Sequence, residues 1–188
     1  MKKLTLTAGL ILLAGPALAH PGHGFGFEAG VLHPLTGPDH LLAMLAVGLW
    51  SGFALPQKFW AGAATFMAAM TVGAALAWFG VALPGVEQMI LASVVAFGLL
   101  VAVARRGQSA TVTGLSLAMI AVFAACHGYA HAVEASGAVA LYLAGFLIST
   151  AALHLAGIGI AQQVARLPLA QGLIGAGIAG AGLLMMVG

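Results

Sequence analysis

The stretch VEQMILASVVAFGLLVAVA, residues 86–104, decides the class of fold. It holds a single charged residue, Glu87, and it is about as long as the ~20 apolar residues that an α-helix needs to cross a bilayer. Five further stretches have the same character, and turn signals such as Leu83-Pro84-Gly85 separate them. We therefore predict six transmembrane helices, over residues 30–55, 59–80, 86–104, 110–131, 137–164 and 168–187.

The composition agrees with a bundle of this kind. Hydrophobic residues make up 62% of the 188 residues, charged residues only 5%, and the mean hydropathy is +1.11. An ordinary soluble domain carries about 25% charged residues, so the outer surface of this chain must face lipid. We predict an all-α integral membrane protein with one transmembrane domain over residues 30–188. A net charge of +2 provides no basic patch for a nucleic-acid partner.

The last predicted span contains GLIGAGIAGAG, residues 172–182, which is rich in small residues. Small residues four positions apart let helix backbones approach closely in lipid. Gly172, Ala176 and Gly180 follow this spacing. We therefore expect them to form a helix-packing face, with no role in chemistry.

The N-terminus has the features of a secretory signal peptide over residues 1–19. Two lysines, an apolar run and the cleavage site Ala17-Leu18-Ala19 follow one another. An uncleaved first transmembrane helix is the alternative, but the apolar run is short for a span and Pro16 interrupts it. Cleavage would begin the mature chain with an exposed, histidine-rich segment at residues 20–29.

The charges of the connecting segments predict the orientation. Cleavage would leave the new N-terminus outside, and the first, third and fifth connections would then face the cytoplasm. These connections hold every Lys and Arg of the mature chain: Lys58, Arg105, Arg106 and Arg166. The two outer connections hold Glu87 and Glu134 instead, in agreement with the positive-inside rule. We predict a multi-pass protein of the bacterial inner (cytoplasmic) membrane with both termini on the periplasmic side.

Ionisable residues inside the spans indicate a metal site. Each costs ~2.5–3.5 kcal/mol at the centre of a bilayer, so a function is the first explanation to consider. One block opens the first span and another ends the fourth, and both lie toward the predicted outer face. In the second block two histidines and a glutamate share one helix face, because they are four and then three residues apart. Imidazole with carboxylate suits nickel, cobalt, zinc or ferrous iron. The candidate ligands are His33, Asp39, His40, His127, His131 and Glu134.

A second set of candidates has simpler explanations that stay open. His20 and His23, in the exposed leader, either capture ions outside or have no role. His154, deeper in the fifth span, either lies on the ion path or makes a hydrogen bond between helices. Met44 and the single cysteine, Cys126, are either soft ligands or buried hydrophobes that only pack.

Two motifs carry a resemblance to a known family. HPLTGPDHLLAMLAVG at residues 33–48 and HGYAHAVE at residues 127–134 resemble the HupE/UreJ family of bacterial nickel/cobalt permeases, and the resemblance covers essentially the whole chain. It implies that His33, Asp39 and His40 form the core of the site, with the second block beside them. Five residues separate the first histidine from the aspartate. This spacing suits HupE/UreJ proteins and departs from the four residues of the wider nickel/cobalt transporter superfamily.

The resemblance implies a secondary importer of Ni²⁺, and of Co²⁺ as the second choice, that supplies hydrogenase, urease or cobalamin assembly. The chain has no phosphate-binding loop of the G-x-x-x-x-G-K-[ST] type, so we expect no ATP-driven step within it. The ion is then a substrate, with no permanently bound cofactor, and the protein is not an enzyme. Two alternatives are an intramembrane metal-dependent enzyme and a membrane metal chaperone or sensor. The sequence leaves open the choice of metal, the coupling ion and the formation of a homo-oligomer.

Overall fold

The computed structural model describes residues 26–135 and 138–188. The predicted signal peptide and the candidates His20 and His23 lie outside the described residues. The described residues form α-helices and no strand, which confirms the predicted all-helical class. The helices are α1 (Phe27–Thr36), α2 (Pro38–Ala54), α3 (Ala61–Trp78), α4 (Val86–Val103), α5 (Ala110–Glu134), α6 (Val139–Val164) and α7 (Pro168–Val187).

The first predicted span is not one helix, and this part of the prediction is wrong. The chain breaks at Gly37, which has an extended backbone with φ −86° and ψ 112°. Pro38 explains the break, because proline disfavours the helical conformation of the residue before it and suits the first position of a new helix. Pro34 lies inside α1 without ending it. At ten residues α1 is too short to cross a membrane by itself.

The other five predicted spans are helices whose ends differ from the prediction by at most three residues. Helices α3 to α7 are each long and apolar enough to cross a membrane. Polar side chains fix two of their ends. Ser109 Oγ accepts a hydrogen bond from Val112 N at 3.2 Å at the start of α5. Gln171 Nε2 donates to the carbonyls of Val101 and Ala104 at the end of α4, at 3.0 and 2.8 Å. A count of six spans stays a prediction, since α2 has only 17 residues.

Helices α1 and α2 pack end to end along α6. Gly30 of α1 lies against the backbone of Tyr142, near the start of α6. Gly48 of α2 and Gly157 of α6 lie against each other's helix backbones, nearer the end of α6. A methyl group at any of these glycines would overlap backbone atoms of the facing helix, so the close approach depends on them. The two short helices together therefore follow α6 as a single broken span.

Two more helix pairs approach closely at small residues. Gly73 of α3 and Gly128 of α5 each face the backbone of the other helix. Helix α7 packs on α4 through Gly175, Ala179 and Gly182. The predicted face of Gly172, Ala176 and Gly180 is therefore wrong: a side-chain atom added at Gly172 or Gly180 would meet nothing within 4 Å. Small residues are so frequent in α7 that a spacing of four residues occurs on several faces of the helix. The spacing alone therefore does not identify the face that packs.

The fixed charges of the described residues are divided between the two ends of the bundle. The acidic residues lie in the first turns of α1, α2 and α4 and at the end of α5: Glu28, Asp39, Glu87 and Glu134. Lys58 and the loop before α5 line one cavity at the other end, so the α2–α3 and α4–α5 loops are neighbours there. The basic residues of the described chain all lie in connections at that end: Lys58, Arg105, Arg106 and Arg166. This polarity is what the positive-inside rule requires, and the orientation in the membrane stays a prediction.

Candidate metal centre

Three histidines from three helices meet at one point. His33 of α1, His40 of α2 and His131 of α5 each offer one ring nitrogen, and these three atoms lie within 4.8 Å of one another. We call them the histidine triad. The ring of His131 lies 4.7 Å from that of His33 and 4.6 Å from that of His40, between centroids. The triad joins both sequence blocks that were predicted to carry ligands.

The break in the first span creates this arrangement. In a continuous α-helix, residues seven apart are separated by about 10.5 Å along the axis, because each residue adds 1.5 Å. The extended backbone at Gly37 interrupts that rise and turns the end of α1 toward the start of α2. Gly37 also leaves room for the site, since a methyl group there would lie 3.0 Å from Asp39 Oδ1 and 3.2 Å from His40 Nδ1.

Asp39 holds His40 in place. Its Oδ1 accepts hydrogen bonds from the main-chain N of His40 at 2.8 Å and from the ring Nδ1 of His40 at 2.7 Å. An ionised carboxylate only accepts, so Nδ1 carries the hydrogen and Nε2 keeps its lone pair free. Asp39 was predicted as a direct ligand. The structure places Oδ1 on the histidine, in the carboxylate–histidine arrangement that orients many metal ligands, and the role of Asp39 as a ligand stays a prediction.

His127 extends the triad along α5. Its ring centroid lies 5.1 Å from that of His40, and its side chain is fully buried. Nδ1 of His127 donates to the carbonyl of Phe123 at 2.9 Å. A carbonyl only accepts, so Nε2 of His127 is again the nitrogen with the free lone pair. We refer to the triad together with His127 as the histidine cluster.

The histidine cluster contains buried nitrogen atoms with no hydrogen-bond partner within the described chain: His40 Nε2, His127 Nε2, His131 Nδ1 and His131 Nε2. A buried polar atom without a partner costs about 1–3 kcal/mol, so a group of them is unusual unless a ligand satisfies them. Imidazole nitrogens are the donors that nickel, cobalt, copper and zinc accept. The cluster therefore has the chemistry of a transition-metal site.

Glu134 stands at the rim of the cluster. Its Oε2 lies 3.9 Å from Nε2 of His33 and 3.8 Å from Nδ1 of His131, beyond hydrogen-bond distance. About half of the carboxylate side chain is exposed, whereas His131 is buried. A negative charge here lowers the cost of bringing a divalent cation to the buried imidazoles. The structure thus brings Glu134 to the predicted site, at its entrance.

The weaker sequence candidates lie apart from the triad. Met44 is fully buried in the main hydrophobic core. Cys126 packs in a small separate cluster with Val86 and Ile90. His154 is fully buried, and the ring of Phe66 lies between it and His127, at 5.0 and 5.5 Å between centroids. Met44 and Cys126 thus have the surroundings of residues that only pack.

Two phenylalanines at the site were not identified from the sequence. Phe146 of α6 packs on His131 with ring centroids 4.1 Å apart, and Phe66 of α3 contacts His127. Both are buried, and nothing in their sequence surroundings distinguishes them from other core residues. An apolar cavity of about 70 Å³ between α3, α5 and α6 reaches His131 from the side. The cluster is therefore walled by aromatic and aliphatic groups.

The chain is similar to proteins of one family over nearly its whole length. The sequence profile described as HupE / UreJ protein matches residues 8–185. Protein HupE of Rhizobium leguminosarum bv. viciae is 36% identical over 202 aligned positions, which cover all of both chains. No solved structure matches the chain.

Proposed function

Because the chain belongs to the HupE/UreJ family, we propose that it is a secondary importer of divalent transition-metal ions, of Ni²⁺ first and Co²⁺ second. The family is associated with nickel and cobalt transport for hydrogenase and urease. On this proposal the histidine cluster binds the ion as a substrate on its way through the bilayer. The protein supplies metal to the maturation of a nickel enzyme or to cobalamin assembly, and it catalyses no reaction.

The observation that carries the proposal is the set of unpartnered ring nitrogens at the meeting point of α1, α2 and α5. A divalent cation that enters a membrane loses its hydration shell, and this loss is prohibitive unless other ligands replace the water. Three converging imidazoles are such ligands. They suit nickel and cobalt well and suit magnesium or calcium poorly, so the site would also select its ion.

The geometry supports a stepwise entry. Glu134 attracts the cation at the rim, and His33 and His131, which lie within 4 Å of its carboxylate, receive it. His40, oriented by Asp39, completes the triad. His127 lies one helical turn before His131 in α5, with its ring 5.1 Å from that of His40. A membrane potential favours this inward movement by ~2.3 kcal/mol per charge for each 100 mV.

An intramembrane metalloenzyme would also use buried histidines, but it needs a substrate cavity that opens on the ion. The cavity that reaches His131 is apolar and holds about 70 Å³. A chaperone or sensor needs a surface or domain that passes the metal or signal onward. The connections that carry the basic residues are only a few residues long. Neither alternative has a specific feature of the described chain in its favour.

Uptake of radiolabelled nickel and cobalt tests the proposal in cells that lack their own importers. We expect cells with the wild type to accumulate the ions. Uptake by cells with His40→Ala should be about tenfold or more lower, because one ligand of the triad is gone. Ser93→Ala is the matched control, since Ser93 is equally buried and bonds only within its own helix, to Ile90 O. Wild-type cells that take up no more metal than cells with empty vector would contradict the importer function. Normal uptake by His40→Ala would contradict the site alone.

A further inference from the structure

His154 has a ring nitrogen that the fold does not use. The residue lies in α6 and is fully buried. Its Nδ1 donates to the main-chain carbonyl of Met44 at 2.7 Å, which ties α6 to α2. Because the carbonyl only accepts, Nδ1 carries the hydrogen and Nε2 keeps a free lone pair. No group of the described residues bonds to that Nε2.

A second unused polar atom lies one helical turn away. Thr150 is also fully buried, and its Oγ1 has no hydrogen-bond partner in the described part of the chain. Residues four apart lie on the same face of a helix, so Thr150 and His154 present an oxygen and a nitrogen from one face of α6. Threonine in a membrane helix ordinarily bonds back to the carbonyl four residues before it, and this one does not.

His154 stands next in line after the histidine cluster. The ring of Phe66 lies between His127 and His154, in contact with both. His33, at the other end of the cluster, contacts Tyr142 and Phe146 near the start of α6, whereas His154 lies two to three turns further along that helix. The order from the acidic end of the bundle is therefore Glu134, the triad, His127, Phe66 and His154.

We propose that His154 is a second, inner binding position for the divalent transition-metal ion, with the hydroxyl of Thr150 as an oxygen ligand and the Phe66 ring separating it from the histidine cluster. The proposal rests on the proposed transport function. A cation that left the triad directly for the basic end would cross apolar core without a ligand. An inner site with fewer ligands shortens that step, since transport needs binding that is strong enough to admit the ion and weak enough to release it.

His154→Asn separates this role from helix packing. The side-chain amide nitrogen of asparagine is as many bonds from Cα as Nδ1 of histidine, so it can still donate to Met44 O while Nε2 is lost. We expect nickel uptake by cells to fall about tenfold or more, the effect of roughly 1.4 kcal/mol on a rate-limiting barrier. Equilibrium binding of Ni²⁺ to the purified protein at the triad, and the thermal midpoint in detergent, should match the wild type.

Thr150→Val supplies a second variant of nearly the same shape, and Ser149→Ala is its neighbouring control on α6. We expect a smaller loss of uptake from Thr150→Val and none from Ser149→Ala. Wild-type uptake by His154→Asn would overturn the inner site and leave His154 as a link between α2 and α6. Loss of uptake together with loss of binding at the triad would also overturn it, because His154 would then support the triad. Absence of uptake by the wild type would instead refute the transport function itself.

Discussion

The proton on the His40 ring is fixed by one carboxylate. Asp39 accepts from Nδ1 at 2.7 Å and from the main-chain N of the same residue at 2.8 Å. The first bond selects the tautomer and the second holds the carboxylate at the start of α2. Nε2 of His40 is then the ring nitrogen that remains available to an ion, and it has no hydrogen-bond partner in the described chain. This geometry suits a carboxylate that orients a metal-binding histidine, and the direct binding of an ion by Asp39 stays a prediction.

Asp39→Asn tests this division of roles. Loss of a carboxylate that orients a metal-binding histidine typically lowers affinity about 10–100-fold, and loss of a ligand costs at least as much. We expect Asp39→Asn to weaken Ni²⁺ binding by the purified protein within that range, and His40→Ala to weaken it more. Glu28→Gln is the control, because Glu28 is an exposed carboxylate near the start of α1. Equal losses in Asp39→Asn and His40→Ala would show that Asp39 is itself a ligand.

At the scale of the helix, the interruption at Gly37 brings together His33 and His40, which are seven residues apart in the sequence. A continuous helix over residues 30–55 would keep His33 and His40 two turns apart. The described structure brings their ligand atoms within 4.8 Å, because α1 ends at Thr36 and α2 begins at Pro38. Discontinuous helices that carry ion sites are common in secondary transporters, since free backbone groups and polar side chains meet at the break. The broken span therefore places the triad.

Restoring helix across the break should separate the two histidines. We expect the double variant Gly37→Ala, Pro38→Ala to bind Ni²⁺ about tenfold or more weakly, because it removes the proline that breaks the helix and adds a methyl group beside Asp39 and His40. Pro168→Ala is the matched control, since Pro168 occupies the first position of α7, far from the histidines in sequence. Titration of the purified variants measures the change. Wild-type affinity in the double variant would show that the break is not needed for the site.

The sequence predicted the long helices α3 to α7 well, but it did not predict the break in the first span. The runs that became α3 to α7 are long and largely apolar, and turn signals separate them, so length and these signals together placed their ends. The first span contains two prolines, of which Pro38 begins a new helix whereas Pro34 lies inside α1. The structure brings the two histidine blocks together, and their binding of a metal ion stays a prediction. The hydrogen bond between helices that was one of the two explanations of His154 is present, from Nδ1 to Met44 O. The place of Phe66 beside the histidines could not be predicted, since it depends on how α3 packs.

At the scale of the whole molecule, the fixed charges of the described residues are divided between the two ends of the bundle. The acidic residues of the described chain lie at the end where the triad opens, and the basic residues lie in connections at the other end. Carboxylates at the mouth raise the local concentration of cations, and the buried cluster lies in a dielectric low enough for single charges to matter. On the proposed transport function, the polarity that predicts the orientation of the bundle would also favour cation entry from the acidic end.

Uptake should depend steeply on pH, because protons and metal ions compete for the same imidazoles. An ordinary histidine has a pKa of about 6.5, and only its neutral form binds a metal ion. Lowering the pH therefore opposes binding, and more than one protonated ring in the triad would add repulsion between neighbouring positive charges. We expect nickel uptake to decrease as the external pH falls below roughly 6.

Uptake measured between pH 7.5 and 5, with the membrane potential clamped by potassium and valinomycin, checks this expected decrease. Cells returned to pH 7.5 control for damage, and a rate that stays constant from pH 7 to 5 would exclude neutral imidazoles as the ligands that admit the ion.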